Sequence, residues 1–176
     1  MENSHLEKEV KILSTRVEEL LPTLQSLHAV DLGEEIQTNI VLDFPDRPMP
    51  KDDYFRIRSY EGSDRPVEVT YKSLQSRDGM RTSNETTMLV ASQDDALEIF
   101  QKLGMTVVHR GVKKRHSFSF MGARLDFDEW LSAGYPEPYL EIEVKSEEAL
   151  QEILHALDLT DREISSMSIA QLIQSN

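Results

Sequence analysis

Two pairs of glutamates stand two residues apart in the sequence, Glu7 with Glu9 and Glu141 with Glu143. Carboxylate oxygens are hard ligands, which Mg²⁺ and Mn²⁺ prefer. The sequence has no cysteine, and its five histidines show no spacing typical of metal ligands, so nothing in it favours Zn²⁺. The glutamate pairs therefore predict a site for Mg²⁺ or Mn²⁺.

Other short segments alternate charged with apolar residues at the same spacing of two. Residues two apart share one face of a β-strand, so each segment is predicted to be a strand with one charged and one apolar face. The charged faces hold seven cations and seven carboxylates, namely Lys11, Arg56, Arg58, Lys72, Lys113, Arg115 and Arg124 against Glu7, Glu9, Glu68, Glu85, Asp126, Glu141 and Glu143. This combined face is neutral, whereas the whole chain has a formal charge of −13.

Such strands could form an open sheet with its charged face in water, or a closed barrel with the charges inside. Closure requires that the enclosed charges are paired or bind something, because an isolated buried ion is strongly destabilising. Interleaved carboxylates and cations suit a polyphosphate that arrives with a divalent cation. Neither G-x-x-x-x-G-K-S/T nor G-x-G-x-x-G occurs, so side chains would have to bind the phosphates.

Four segments have the apolar spacing of α-helices and could cover the apolar faces of the strands. They lie near residues 17–27, 93–103, 147–157 and 164–173. The predicted N-cap residues are Ser14, Ser92 and Ser146, and Gly104 is the predicted end of the second helix. The apolar stripe of the second helix is predicted to contain Ala96, Leu97, Ile99, Phe100 and Leu103.

The length of 176 residues predicts a single domain over residues 1–176. The charge of −13 would repel a nucleic-acid backbone or an anionic membrane surface, so we expect neither as a partner. The first residues lack the basic and then apolar pattern of a signal peptide, and no long apolar run follows. Together with the absence of cysteine, this predicts a cytoplasmic protein.

The N-terminal segment Glu7-Lys8-Glu9-Val10-Lys11 has the E-x-E-x-K pattern typical of the CYTH family, also called triphosphate tunnel metalloenzymes. The resemblance extends over about residues 6–159, because further segments follow in the family's order. These segments are Tyr54-Phe55-Arg56-Ile57-Arg58, Val69-Thr70-Tyr71-Lys72, Lys113-Lys114-Arg115, Leu125-Asp126 and Tyr139-Leu140-Glu141-Ile142-Glu143. The resemblance implies an α+β fold in which an eight-stranded antiparallel β-barrel forms a tunnel and the helices pack outside.

The resemblance also implies roles for individual residues. The implied metal ligands are Glu7, Glu9, Glu85, Asp126, Glu141 and Glu143. The implied triphosphate-binding residues are Lys11, Arg56, Arg58, Lys72, Lys113, Arg115 and Arg124. Lys11 and Arg58 would be catalytic, with Lys11 either assisting the attacking water or acting as a protonated phosphate ligand, depending on its pKa.

The sequence departs from the family at one predicted strand. Family members often carry a second E-x-E pair near residues 81–88, where this chain has Glu85 followed by Thr86 and Thr87. The missing carboxylate leaves the number of metal ions open. Asp128-Glu129-Trp130 resembles a bacterial subgroup of the family, and we expect Trp130 to have a packing role.

The predicted function is that of a metal-dependent enzyme, monomeric or homodimeric, that acts on the triphosphate of a small molecule. Hydrolysis of inorganic triphosphate, thiamine triphosphate or a nucleoside triphosphate is favoured, because no base-reading motif stands out. Cyclisation of ATP to cyclic AMP and pyrophosphate is the alternative, as a class IV adenylyl cyclase would perform it. A non-catalytic polyphosphate-binding module and an open interaction domain are two further alternatives, of which the missing carboxylate at Thr87 fits the first.

Overall fold

The protein is seen here as a computed structural model, which describes residues 4–175. In chain order its elements are β1 (Ser4–Leu13), α1 (Val17–Ser26), β2 (Val30–Asp43), β3 (Tyr54–Tyr60), β4 (Val67–Ser76), β5 (Arg81–Val90), α2 (Gln93–Lys102), β6 (Thr106–Phe120), β7 (Ala123–Ser132), β8 (Tyr139–Glu143), α3 (Glu147–Ala156), β9 (Ile164–Ser165) and α4 (Ile169–Ser175). Within these residues, no helix is long and apolar enough to cross a lipid bilayer.

Strands β1 to β8 form one closed antiparallel barrel, so the predicted fold is confirmed. The strand order is β5-β4-β3-β2-β6-β7-β8-β1, and pairing between β5 and β1 closes the barrel. β1 divides its length between two partners. Its first half pairs with β5, from Ser4 opposite Thr86, and its second half pairs with β8, ending with Leu13 opposite Tyr139. The two-residue β9 also pairs with β1.

The two faces of each strand lie in different surroundings, as the alternation predicts. On β1, Val10 and Ile12 are fully buried in the outer hydrophobic core, whereas Glu9 and Lys11 are buried inside the barrel. Helices α1 and α3 cover this part of the barrel wall through Leu20, Leu24, Leu150, Ile153 and Leu154. Helix α2 covers a second core, which contains Ile40, Leu42, Ile57 and Val69.

The two ends of the barrel differ in what covers them. At the end where β1 finishes and β8 starts, Leu172 of α4 lies in a cluster with Tyr135 and Tyr139, against which Leu13 and Trp130 pack. Helix α4 thus covers this end, which we call the closed end. We call the opposite end, where β1 begins and β8 finishes, the mouth.

The predicted starts of α2 and α3 are confirmed, because the hydroxyls of Ser92 and Ser146 accept hydrogen bonds from backbone N–H groups in the first turns. The predicted N-cap Ser14 is wrong. Ser14 has a φ of 50° in the sharp turn after β1, and Arg16 is the N-cap of α1. The chain has to reverse direction after β1, so the cap lies at Arg16, directly before the apolar stripe that begins at Val17.

Two further helix predictions are wrong in part. On α2, Ile99 and Leu103 are 57% and 66% exposed, because α2 meets the barrel along a narrow stripe through Ala96, Leu97 and Phe100. In the last predicted helix, Ile164 and Ser165 extend the sheet as β9 instead, because the edge of β1 there has free backbone groups to pair with.

The difference between the buried and the exposed helix faces is testable with a matched pair of substitutions. Ile153→Ala in α3 removes a fully buried side chain and should lower the free energy of unfolding by about 2–5 kcal/mol. Ile99→Ala in α2 removes a largely exposed one and should change it by less than about 0.5 kcal/mol. Urea denaturation of both variants measures the two values, and equal losses would contradict this description of the core.

Candidate metal and phosphate site

Three glutamates converge inside the barrel. Glu7 and Glu9 of β1 and Glu141 of β8 each bring one carboxylate oxygen within 4.8 Å of the other two. The period of two puts Glu7 and Glu9 on the interior face, and the antiparallel register places Glu141 opposite Lys11 on the neighbouring strand. We call these three residues the acidic cluster. Three hard oxygen donors at this spacing are able to share one divalent cation.

The three carboxyl groups of the acidic cluster differ in their pKa values. Burial and the adjacent charge of Glu9 raise the pKa of Glu7 to about 8. Burial also acts to raise the pKa values of Glu9 and Glu141, but neighbouring lysines, together with Arg115 at Glu141, bring both below the ordinary value. Glu7 is therefore the carboxyl group that carries a proton near neutral pH when no metal ion is bound.

Two lysines lie between the carboxylates. Lys11 Nζ is 2.7 Å from Glu9 Oε1 and 2.9 Å from Glu141 Oε2. Lys72 Nζ contacts Glu7 and lies 3.3 Å from Glu9 and 3.1 Å from Glu85. Burial alone would lower the pKa of Lys11, but the charges of Glu141 and Glu9 raise it above its ordinary value. Of the two roles left open for Lys11, these contacts favour the protonated phosphate ligand.

Two arginines of β3 face the interior and have no carboxylate partner among the described residues. Arg56 and Arg58 make no ion pair within 4.0 Å in the described part of the chain. Arg58 Nε donates to Asn39 Oδ1 at 2.8 Å, whereas Arg56 Nε is buried and has no hydrogen-bond partner there. Burial and the charges of Arg56 and Arg115 lower the pKa of Arg58. Unpaired guanidinium groups inside a barrel are suited to bind an anion.

Asp128 is a buried carboxylate that the sequence prediction missed. It is 1% exposed and accepts hydrogen bonds from Lys113 Nζ at 2.5 Å and from Arg115 Nε and Nη2 at 2.6 Å. It fixes the direction of two predicted phosphate-binding side chains. β7 continues to Ser132, so extending the alternation of Arg124 and Asp126 by one step would have found Asp128.

The predicted metal ligands outside the acidic cluster are Glu85, Asp126 and Glu143, and each has its own surroundings. Glu85 contacts Lys72, and the Asp126 carboxylate accepts hydrogen bonds from Arg115, Arg124 and the Ser117 hydroxyl. Glu143 stands opposite Glu9 in the register and lies at the mouth, where burial raises its pKa. Metal binding by these three residues stays a prediction, and the structure places none of them in the acidic cluster.

Two further interior positions complete the site. Arg81 is 1% exposed, with Nε 3.7 Å from Glu9 Oε1, and its alternation with Ser83 and Glu85 was the signal for an interior position. At Thr87, where the family often has a carboxylate, the hydroxyl lies 2.9 Å from the Thr70 hydroxyl, so a neutral pair links β4 and β5. Trp130 packs at the closed end, as expected.

The raised pKa of Glu7 predicts how stability depends on pH. In metal-free protein, the stabilisation from protonated Glu7 is fully present below pH 4.5 and is lost as the pH rises through about 8. Glu7→Gln should therefore show a smaller loss of stability over this range than the wild type, in urea denaturation with EDTA. Exposed Glu61→Gln is the control and should follow the wild type. Identical pH profiles for wild type and Glu7→Gln would contradict the assignment.

The contacts of Asp128 predict a second effect. Asp128→Asn leaves Lys113 and Arg115 buried without their shared anion, which should destabilise the fold by about 3–5 kcal/mol. The neighbouring substitution Glu129→Gln changes an exposed side chain and should cost less than about 0.5 kcal/mol. Chemical denaturation measures both, and a small loss for Asp128→Asn would show that these ion pairs are not required for stability.

Comparisons with known proteins agree with this geometry. The sequence model of the CYTH domain family matches residues 5–168. No curated protein matches the chain at a significant level. A conserved hypothetical protein from Pyrococcus furiosus has a similar structure, with 20% sequence identity, a TM-score of 0.79, and coverage of 94% of this chain and 99% of that chain.

Two other similar structures carry functional names. A candidate adenylate cyclase from Vibrio parahaemolyticus is 16% identical, with a TM-score of 0.73 and coverage of 97% of this chain and 98% of that chain. A candidate adenylyl cyclase from Hippeastrum, described as having a dominant triphosphatase activity, is 17% identical, with a TM-score of 0.70 and coverage of 96% and 95%. At these identities the likeness establishes the fold alone.

Proposed function

Because this chain belongs to the CYTH domain family, we propose that it is a divalent-metal-dependent enzyme that acts on the triphosphate group of a small molecule. The proposed reaction is hydrolysis. One observation carries the proposal: the acidic cluster faces the same closed interior as the guanidinium groups of Arg56 and Arg58, which form no ion pair with the described residues. A metal ion bound to a polyanion has the charges that complement both groups.

The donor set of the acidic cluster fits Mg²⁺ or Mn²⁺, because Glu7, Glu9 and Glu141 offer only carboxylate oxygens. The three carboxyl groups are buried close together, and the pKa of Glu7 is raised to about 8. A bound cation would offset the repulsion between them. When bound, the ion would neutralise charge on phosphate oxygens and polarise the phosphorus centre.

The side chains of the chain itself have distinct tasks in this proposal. Arg56 and Arg58 bind phosphate oxygens, and Lys113 and Arg115, held by Asp128, add two more donors to the wall. Lys11 remains protonated and stabilises negative charge as it develops during phosphoryl transfer. The closed barrel limits access of bulk water, which strengthens each of these interactions.

Loss of one carboxylate tests the proposal most directly. The wild-type protein should release phosphate from tripolyphosphate, thiamine triphosphate or a nucleoside triphosphate when Mg²⁺ or Mn²⁺ is present. Glu9→Gln should lower kcat/KM by at least about 100-fold, because it removes a charge from the acidic cluster. Glu61→Gln, an exposed change outside the barrel, should leave the rate unchanged. Thermal unfolding of both variants checks that they are folded.

Two results would replace hydrolysis by another function. Formation of cyclic AMP and pyrophosphate from labelled ATP would identify the alternative, a class IV adenylyl cyclase. That alternative is supported by the similarity to a candidate adenylate cyclase over 97% of this chain. Metal-dependent binding of triphosphates without any product would identify a binding module. No binding and no turnover of any of these compounds would overturn the whole proposal.

A further inference from the structure

Two glutamates near the mouth lie next to arginines that the proposed function uses. Glu68 of β4 is directly opposite Arg58 of β3, and Glu35 of β2 is directly opposite Arg115 of β6. The side chains of directly opposite residues begin about 5 Å apart, so each glutamate is within reach of its arginine. Arg115 already pairs with carboxylates of β7 and β8, whereas Arg58 has no ion pair among residues 4–175. The contacts of Glu68 therefore decide whether Arg58 stays open to an anion.

Arg65, in the turn between β3 and β4, binds both glutamates. Its Nη1 contacts Glu35, and its Nη2 lies 3.4 Å from Glu68 Oε1. The central carbon of its guanidinium group lies 3.7 Å from the centre of the Tyr60 ring, so the group also has a cation–π contact. On the other side of Glu35, Gln37 Nε2 donates to Glu35 Oε1 at 2.5 Å. Arg65 thus links β2 to β4 across the end of β3.

The backbone around Arg65 limits where its side chain can lie. The Arg65 N–H donates to Ser63 Oγ at 3.2 Å. Pro66 follows, and a residue before a proline is restricted to extended backbone conformations. The side chain is 48% exposed, but its backbone is already ordered, so holding the guanidinium group over the glutamates costs less entropy.

Arg58 is bonded to the strand on the side away from Glu68. Its Nε donates to Asn39 Oδ1 at 2.8 Å, and Asn39 belongs to β2, whereas Glu68 belongs to β4. Burial and the charges of Arg56 and Arg115 lower the pKa of Arg58, which is the opposite of the effect of an adjacent carboxylate. The rest of the Arg58 guanidinium group is suited to bind an anion.

We infer that Arg65 is a positioning residue for triphosphate binding, because it holds the carboxylate of Glu68 and so prevents Glu68 from pairing with Arg58. This inference rests on the proposed function, and it gives a role to a residue that acts without touching the substrate. In the absence of Arg65, the Tyr60 hydroxyl still donates a hydrogen bond to Glu68, but a neutral donor is weaker than the guanidinium group of Arg58. A triphosphate then has to displace Glu68, and its affinity falls.

The test is a double-mutant cycle on the Kd of the imido analogue of tripolyphosphate, which resists hydrolysis, measured by isothermal titration in excess Mg²⁺. Arg65→Gln should weaken binding by about tenfold, because it releases Glu68. Glu68→Gln alone should stay within about twofold of the wild type. The double variant Arg65→Gln, Glu68→Gln should also return to within about twofold of the wild type, since the competing carboxylate is gone.

Arg162→Gln is the matched control. The Arg162 side chain is 46% exposed and its Nη2 lies 3.4 Å from Glu19 of α1, so the substitution removes the same charge from a similar ion pair outside the barrel. The Kd of this variant should equal that of the wild type. Thermal unfolding of every variant checks that all are folded at the temperature of the titration.

Three results would overturn the inference and leave the proposed function standing. A double variant that binds as weakly as Arg65→Gln would show that Arg65 itself contacts the phosphates. An unchanged Kd for Arg65→Gln would show that Glu68 does not compete for Arg58. An equal improvement by Glu68→Gln with and without Arg65 would show that the two residues act independently. If the wild-type protein binds neither the analogue nor any other triphosphate with Mg²⁺, the proposed function itself is overturned, and the inference with it.

Discussion

Charge balance inside a closed barrel is the constraint on which the rest of this structure depends. The helices cover the outer faces of the strands, so the ionic faces have only one another as partners. The sequence meets this constraint with equal numbers of cations and carboxylates on the interior faces, although the whole chain is strongly acidic. The structure adds Arg81 and Asp128 to the interior, one of each sign, and the balance is kept. Closure of the barrel is compatible with burial of so many ions only because cations lie among the carboxylates, as Lys11 and Lys72 do at the acidic cluster.

The positive and negative charges balance over the barrel interior as a whole but not in each part of it. This uneven distribution creates the candidate site. Around Asp128 a single carboxylate accepts hydrogen bonds from both Lys113 and Arg115, and burial together with the charge of Arg115 lowers the pKa of Lys113 to about 7. At the acidic cluster three carboxylates crowd together, and on β3 the guanidinium groups of Arg56 and Arg58 lack carboxylate partners among the described residues. A wall with excess negative charge thus faces a wall with excess positive charge. A metal ion with a polyanion would restore neutrality at both walls, so the proposed binding would also stabilise the fold.

The alternation of charged and apolar residues was sufficient to predict the strands and their two faces, because a period of two that recurs in segment after segment is typical of strands with one buried apolar side. The resemblance in Glu7-Lys8-Glu9-Val10-Lys11 added the family and the closed barrel. The sequence did not reveal where strands end, so Asp128, the next residue after Asp126 on the same face of β7, was missed. It also could not show which carboxylates converge, since Asp126 and Glu141 look alike until the register places one with arginines and the other with glutamates. Helix caps and the width of a buried stripe, as at Ser14 and Ile99, depend on the angle at which each helix meets the barrel.

The division of β1 between two partners has a consequence for the order in which the molecule can assemble. β1 pairs with β5 over its first half and with β8 over its second half, and both partners follow it at a distance in the chain. During translation, β1 leaves the ribosome long before β8 does, so a nascent chain exposes the glutamates of β1 without the strand that completes their cluster. The acidic cluster is therefore completed only after β8 has been synthesised, and an incomplete chain lacks one of the three carboxylates of the proposed metal site.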